Sequence, residues 1–410
     1  MPRLENSLQL FAKGYGWLPD KRRALGRRTV PTRLGGLPAY GIEGPEAARF
    51  LYDEDHVVRS HAIPEPVRGT LFGKGAVHTL DGEKHRVRKA MFVALLMRED
   101  GIASLVQRMT AAWDDAVEEW ARRPQIVLFE ESANVIAGAV ARWAGVPVTD
   151  GEVPALARDL QAMVDGFATG GPRHVRARRA RGRREAWLGR LVRDVRSGTI
   201  SVEPGSAVEV VAQHREVDGE QLDSHVAAVE LLNIIRPTTA ISWFVAFSAH
   251  ALIRWPENRK RLADGDAAFA EAFAHEVRRF YPFAPFIGGR APRAVEWDGE
   301  RIPENAMVLL DLYGQNHDAD LWGDPYAFRP ERFLGREIGA FELVPQGAGD
   351  PRADHRCPGE QITVAVLSAL AVRLACLQVD VPEQDLSISL RRIPARPRSG
   401  VVLQVRGSAA

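Results

Sequence analysis

From Leu222 to Leu252 the chain reads as one long helix that is apolar almost all round. A helix with no polar side has no face to turn toward water, so it must run through the middle of a molecule thick enough to surround it. Arg236 is the only Lys, Arg, Asp or Glu between Leu231 and Leu252, and Pro237 follows it. Proline has no N–H for the carbonyl of Asn233 and its ring crowds that turn, so a kink or opening is expected there. A charge at the broken point of a buried helix needs a partner. Two readings stand: a structural ion pair with a distant Asp or Glu, or a ligand anion, since a guanidinium grips a carboxylate through two parallel hydrogen bonds.

The remaining sequence supplies the surround. Between about Gly101 and Gly265 the pattern is mainly helical, with i, i+3, i+4 apolar spacing over Ile102 to Arg122, Phe129 to Trp143, Leu156 to Ala168 and Arg176 to Arg196. Thr29 to Tyr40 reads as short strands and turns, with a helix starting near Glu43. After Phe280 come an Asp298-Gly299 hairpin turn, a strand at Met307 to Leu312, an apolar helix over Gln361 to Leu377 and short strands from Leu386. No internal repeat or Ser/Gly-rich linker divides the chain, which predicts a single domain over residues 1–410, mainly α with a smaller β portion. At 410 residues and 45% hydrophobic content it can bury roughly three quarters of the surface its unfolded chain exposes. Collagen-like, disordered and coiled-coil architectures are excluded.

Charge and cysteine content narrow the setting. A net charge of +1 gives no overall field toward nucleic acid or an anionic bilayer. The arginine-rich run from Arg173 to Arg196 reads as a solvated helix face or as a nucleic-acid or membrane-surface patch; no aromatic interleaving accompanies it. The first residues lack a signal-peptide pattern and no stretch spans a bilayer, so a soluble cytoplasmic protein with no membrane span and no nucleic-acid partner is expected. Two cysteines, Cys357 and Cys376, leave no disulfide framework and point to a reducing compartment.

Near the carboxyl end the chain reads Leu343-Val344-Pro345-Gln346-Gly347-Ala348-Gly349 and then His355-Arg356-Cys357-Pro358-Gly359-Glu360. Glycines let the backbone pass close to a flat object, and a thiolate at the head of the following helix is favoured by that helix's positive end. Zinc fits poorly, because no second Cys or His lies at ligand spacing beyond His355. A single thiolate in such a loop suits haem iron; a small buried hydrophobe is the plain alternative. Upstream, Glu276 and Arg279 stand three apart on one helical face, and Phe328-Arg329-Pro330-Glu331-Arg332-Phe333 forms an arginine-rich loop.

In this order these segments resemble the cytochrome P-450 superfamily: Glu276 and Arg279 match its E-x-x-R, the loop containing Arg332 its meander, and Cys357 its haem-binding segment. Extra residues between Gly349 and Cys357, and Arg236-Pro237 where ordinary members carry an acid-alcohol pair, resemble the bacterial fatty-acid peroxygenase and decarboxylase branch. So do Leu71-Phe72-Gly73, Gly171-Pro172-Arg173, Tyr281-Pro282-Phe283 and Gly347 to Gly349.

The resemblance implies a cytochrome P-450 fold, with haem b between the long central helix and the Cys-loop helix and Cys357 as proximal iron ligand. It implies hydrogen peroxide as co-substrate and a long-chain fatty acid whose carboxylate, held by Arg236, handles the proton that an acid-alcohol pair would otherwise deliver. Pro237 would keep the local backbone open. His78 falls on the substrate side, where His resembles the members making terminal alkenes, so decarboxylation is favoured over α/β-hydroxylation. His85 would steady a haem propionate, with Arg59, Arg88, Lys89 and His355 as helpers. Leu71, Phe72, Val164, Phe167, Phe283 and Phe286 would wall the alkyl tail, and Glu276, Arg279 and Arg332 would be structural. Three rivals remain: a monooxygenase fed by a ferredoxin and reductase, which are not required if peroxide suffices; a non-catalytic haem sensor; and a nucleic-acid-binding protein.

Overall fold

The computed structural model describes residues 6–167 and 169–408. The central apolar stretch forms two consecutive helices, Ser224–Thr239 and Ile241–Arg254. Asp223 starts the first by accepting the N–H of His225 at 2.8 Å, the side-chain capping that an orphan N-terminal donor needs. Helices Leu128–Trp143, Val153–Gly166 and Gly171–Arg196 pack around Ser224–Thr239. Glu360–Cys376 and Ala267–Phe280 pack with Ile241–Arg254. The expected all-round burial is what the sequence's lack of a polar face produces.

The smaller β portion draws most of its strands from both ends of the chain and from the stretch between Phe286 and Asp311. Val30–Leu34 and Leu37–Ile42 form an antiparallel hairpin; Leu37–Ile42 pairs in parallel with Met307–Asp311, whose other edge is Phe286–Arg290. A second sheet orders Ile126–Val127, Val402–Ser408 and Leu377–Asp380. The Asp298-Gly299 turn joins Val295–Trp297 to Glu300–Ile302 with both φ angles positive, 52° and 72°, which is the chemistry a two-residue hairpin selects.

Glu276 anchors the later half. Arg279 grips both its carboxylate oxygens, at 2.7 and 2.8 Å, and donates to the carbonyls of Asn316 and Pro325. Arg332 lies 3.1 Å from the same carboxylate and donates to Trp322, while Arg329 N–H reaches Glu276 at 2.8 Å. The expected pairing of this helix with the arginine loop is thus met by a fully buried acid holding two cations.

Two expectations need correction, and one region the sequence left unassigned gains structure. The helix does not open at Pro237: it continues to Thr239 and breaks at Ala240 (φ −65°, ψ −10°). Thr238 and Thr239 hydroxyls donate to the carbonyls of Ile234 and Ile235 at 2.8 and 2.9 Å, back-bonding that accompanies a bend and moves the break downstream. The amino-terminal region, for which the sequence offered no assignment, forms helices Ser7–Lys13 and Trp17–Leu25. Their partners lie far along the chain: Trp17 packs on Phe286 and Arg22 pairs with Glu43 and Asp311. The predicted Leu156 to Ala168 segment forms Val153–Gly166, and Ala168 lies outside the described residues. Among the described residues no helix is long and apolar enough to cross a membrane.

Candidate active site

Arg236 is 5% exposed, and its one hydrogen bond to the protein runs from Nη2 to Asn233 Oδ1 at 3.1 Å. Its Nε is buried with no partner. Among the described residues no carboxylate lies within ion-pair distance of it: Glu230, the acid on the same helix, accepts instead from Arg88 at 2.7 Å, Val77 N–H at 2.8 Å and Asn233 at 3.1 Å. Burial, then repulsion by Arg181, pulls the Arg236 guanidinium down to about 9. The structural-ion-pair reading therefore fails. Pro237, alone among Ala227 to Ala249, is exposed, so the buried helix borders an opening beside Arg236.

That opening is flanked by the segment carrying His78. Arg181 donates to the carbonyls of Leu71 and Phe72 at 2.6 and 2.9 Å, and Asn233 donates to Phe72 at 3.0 Å. Gly73 has φ 93°, and a Cβ there would meet Arg181 Nη2 at 2.1 Å and Val229 at 2.6 Å, so only glycine fits. The His78 ring lies 4.5 Å from that of Phe72 and its buried Nδ1 has no partner. Burial, reinforced by the Arg236 charge, holds His78 well below its usual range, hence neutral. Glu230, Asn233 and Arg181 were not singled out from sequence; the available signal was two polar side chains on an otherwise apolar helix.

Cys357 is pinned from several directions. Its N–H reaches Gln346 O at 3.1 Å, and Gln346 Nε2 lies 3.7 Å from Cys357 Sγ. Burial pushes the thiol up, opposed by the Gly359 N–H. Lys89 Nζ donates to the carbonyl of Arg356 at 2.5 Å. Gly347 and Gly349 have φ 94° and 82°, and a Cβ on them would strike Tyr52 Oη and the Asp354 carboxylate; these glycines serve the turns of the loop.

A third group lies beside this loop. His85 and His355 rings stack at 3.9 Å; burial carries them down to about 3 and about 4, so both are neutral. Arg59 spends Nη1 on Gly288 O at 2.6 Å and leaves Nη2 buried without a partner. Arg88 corrects the sequence reading: its guanidinium is taken up by Glu216, Glu230 and Gly75 O, which makes it a structural cation and not a propionate helper. Of the expected tail residues, Leu71, Val164 and Phe283 join the main core, with Phe283 5.1 Å from Phe244. Phe167 packs instead with Tyr15 and Ile393, and Phe286 with Trp17.

The Cytochrome P-450 family model matches residues 266–391. Carnosic acid synthase of Rosmarinus officinalis is 34% identical over 111 residues, 26% of this chain and 21% of that protein. Geranylhydroquinone 3''-hydroxylase of Arnebia euchroma is 31% identical over 174 residues, 37% and 34% respectively. The chain thus spans about a fifth to a third of the length of these curated relatives. Solved structures match over their whole length. Cytochrome P-450SP alpha in complex with (R)-ibuprophen is 41% identical, covering 98% of this chain and 99% of that one, with a TM-score of 0.95. This chain belongs to the cytochrome P-450 family. A variant of cytochrome P-450 OleT in complex with arachidonic acid (35% identity, 99% and 98% coverage, TM-score 0.96) and cytochrome P-450EX alpha with myristic acid (35%, 98% and 97%, 0.94) resemble it equally in fold.

Membership implies haem iron, and the residues of this P-450 fit it. Cys357 offers one partly buried thiol, near enough to Arg236 for a thiolate there to act on the guanidinium charge. Arg59 Nη2 is a buried polar atom without a hydrogen-bond partner beside the cysteine loop, suited to a carboxylate at the rim of such a group, while His355 Nε2 lies 3.7 Å from the Asp81 carboxylate.

Proposed function

We propose that this P-450 uses hydrogen peroxide to oxidise long-chain fatty acids, by decarboxylation to terminal alkenes and by α/β-hydroxylation, with the substrate carboxylate on Arg236. One observation carries the reading: a buried guanidinium with no carboxylate partner among the described residues and an unpaired Nε. A buried charge left unpaired costs several kcal/mol, roughly 3–5 when a partner is removed, and an incoming carboxylate removes that cost through two parallel bonds. Two of the solved relatives are structures with fatty acids, which supports the same substrate class here.

Haem with a thiolate ligand, Cys357 in this proposal, supplies O–O cleavage and oxygen transfer. The protein's part is placement and proton handling. The hydroxyls of Thr238 and Thr239 are spent on helix carbonyls, and Glu230 on Arg88, Asn233 and Val77. The substrate carboxylate is then the group available beside Arg236 to hold and return a proton. Neutral His78, with Nδ1 free, would act near the substrate's α and β carbons and favour the alkene outcome. Arg59, His85, Lys89 and His355 would hold the haem rim, and Leu71, Phe72, Val164 and Phe283 the tail. Each buried CH₂ contributes about 0.8 kcal/mol to binding, so the tail supplies affinity while Arg236 fixes which end reacts.

The test is to mix the haem-loaded protein with a saturated long-chain fatty acid and hydrogen peroxide and identify products by mass. Terminal alkene and hydroxy acid without any redox protein are expected. Product that forms only with ferredoxin and reductase would replace this reading with the partner-fed monooxygenase.

A further inference from the structure

Arg278 stands between the two residues of the E-x-x-R pair, yet it points to another task. It is 1% exposed, and its Nε donates to Gln346 Oε1 at 3.0 Å. Its other nitrogens are held by Glu360 and by His275 Nδ1, and Glu360 is in turn held by Arg356 at 2.6 Å. On the far side of the Gln346 amide, Nε2 lies 3.1 Å from Thr363 Oγ1 and 3.7 Å from Cys357 Sγ. Thr363 spends its own hydroxyl hydrogen on the carbonyl of Gly359 at 3.1 Å, so toward Gln346 it can only accept.

A glutamine amide has a donor end and an acceptor end, and reversing it would set an oxygen lone pair against the sulfur. A cation donor beside one end decides the orientation. We infer that Arg278 is a positioning residue that fixes the Gln346 amide with its N–H toward Cys357 Sγ, and thereby tunes how much electron density the thiolate gives to the haem. An N–H donated to a thiolate draws charge from the sulfur, and hydrogen bonding around a ligand sulfur shifts the potential of the metal it binds. The inference rests on Cys357 as the haem ligand of the proposed function and is independent of the substrate reading.

The test measures the ferric/ferrous midpoint potential of substrate-free holoenzyme, with the ferrous–CO spectrum confirming thiolate ligation in every variant. Gln346→Leu removes the N–H and is expected to disfavour reduction about tenfold, a fall of about 59 mV for a one-electron couple. Arg278→Lys keeps the charge but loses the planar donor; it should lower the potential in the same direction. In the Gln346→Leu background it should add little, because its effect runs through the amide. Should Arg278→Lys fail to load haem, Arg278→Gln serves with the same expected coupling. An unchanged potential in Gln346→Leu, or shifts of the two substitutions that simply add, would overturn the inference.

Discussion

At the scale of single residues, the site turns on two nitrogen-bearing side chains that the protein leaves incompletely satisfied. Arg236→Ala should abolish peroxide-driven turnover while haem stays bound, read from product mass and the thiolate-type spectrum together. Arg236→Lys should recover part of it, since an ammonium keeps the charge but not the bidentate grip. His78→Gln should move products from alkene toward hydroxy acid, and an identical ratio would remove His78 from the branch point. Arg236 was legible because a lone charge on an apolar helix is conspicuous without any structure. Arg88 was misread for the converse reason: a cation on a helix does not say what lies opposite it, and here Glu216, far along the chain, does.

At the scale of elements, the central helix and the Leu71 to Thr79 segment behave as one unit joined through Glu230, Asn233 and Arg181. Asn233 holds both Arg236 and Phe72, so Asn233→Ala should raise the fatty-acid KM more than it lowers kcat, measured by steady-state kinetics. Gly73→Ala should lower the thermal midpoint and disturb the product ratio, because the added carbon meets Arg181 and Val229 at a positive φ. The helix itself was readable from its lack of a polar face, as was the Asp298-Gly299 hairpin from its turn residues. The amino-terminal helices were not, because Trp17 and Arg22 acquire meaning only against Phe286 and Asp311. The displaced break at Ala240 was hidden for a similar reason: two threonine hydroxyls, absent from any rule about proline alone, redistribute the bend.

At the scale of the whole molecule, neutral histidines, buried or half-buried, set the acid limit of stability. His85 is held near 3, and His250, His275, His317 and His355 near 4, all mainly by burial. Their folded values lie below the ordinary 6.5, so the unfolded chain takes up protons first as pH falls, and stability is lost between about 6.5 and 4. Glu43, raised to about 7 by burial, acts oppositely, gaining stability as pH falls from about 7 toward its ordinary 4.5, as do Glu230 and Asp311, whose carboxyls burial also raises; His78 and His214, lowered by burial, add to the histidines, which outnumber these acids. The thermal midpoint should therefore fall as pH is lowered from 6.5 to 4, and a midpoint that rises over this window would contradict the assignment. The most direct measurement of the central claim is a crystal structure of the haem-loaded protein with a long-chain fatty acid bound. The account predicts the carboxylate on Arg236, with both oxygens at hydrogen-bond distance and the reacting carbons beside His78; a headgroup pointing away, with Arg236 neutralised by a side chain of the protein, would contradict it.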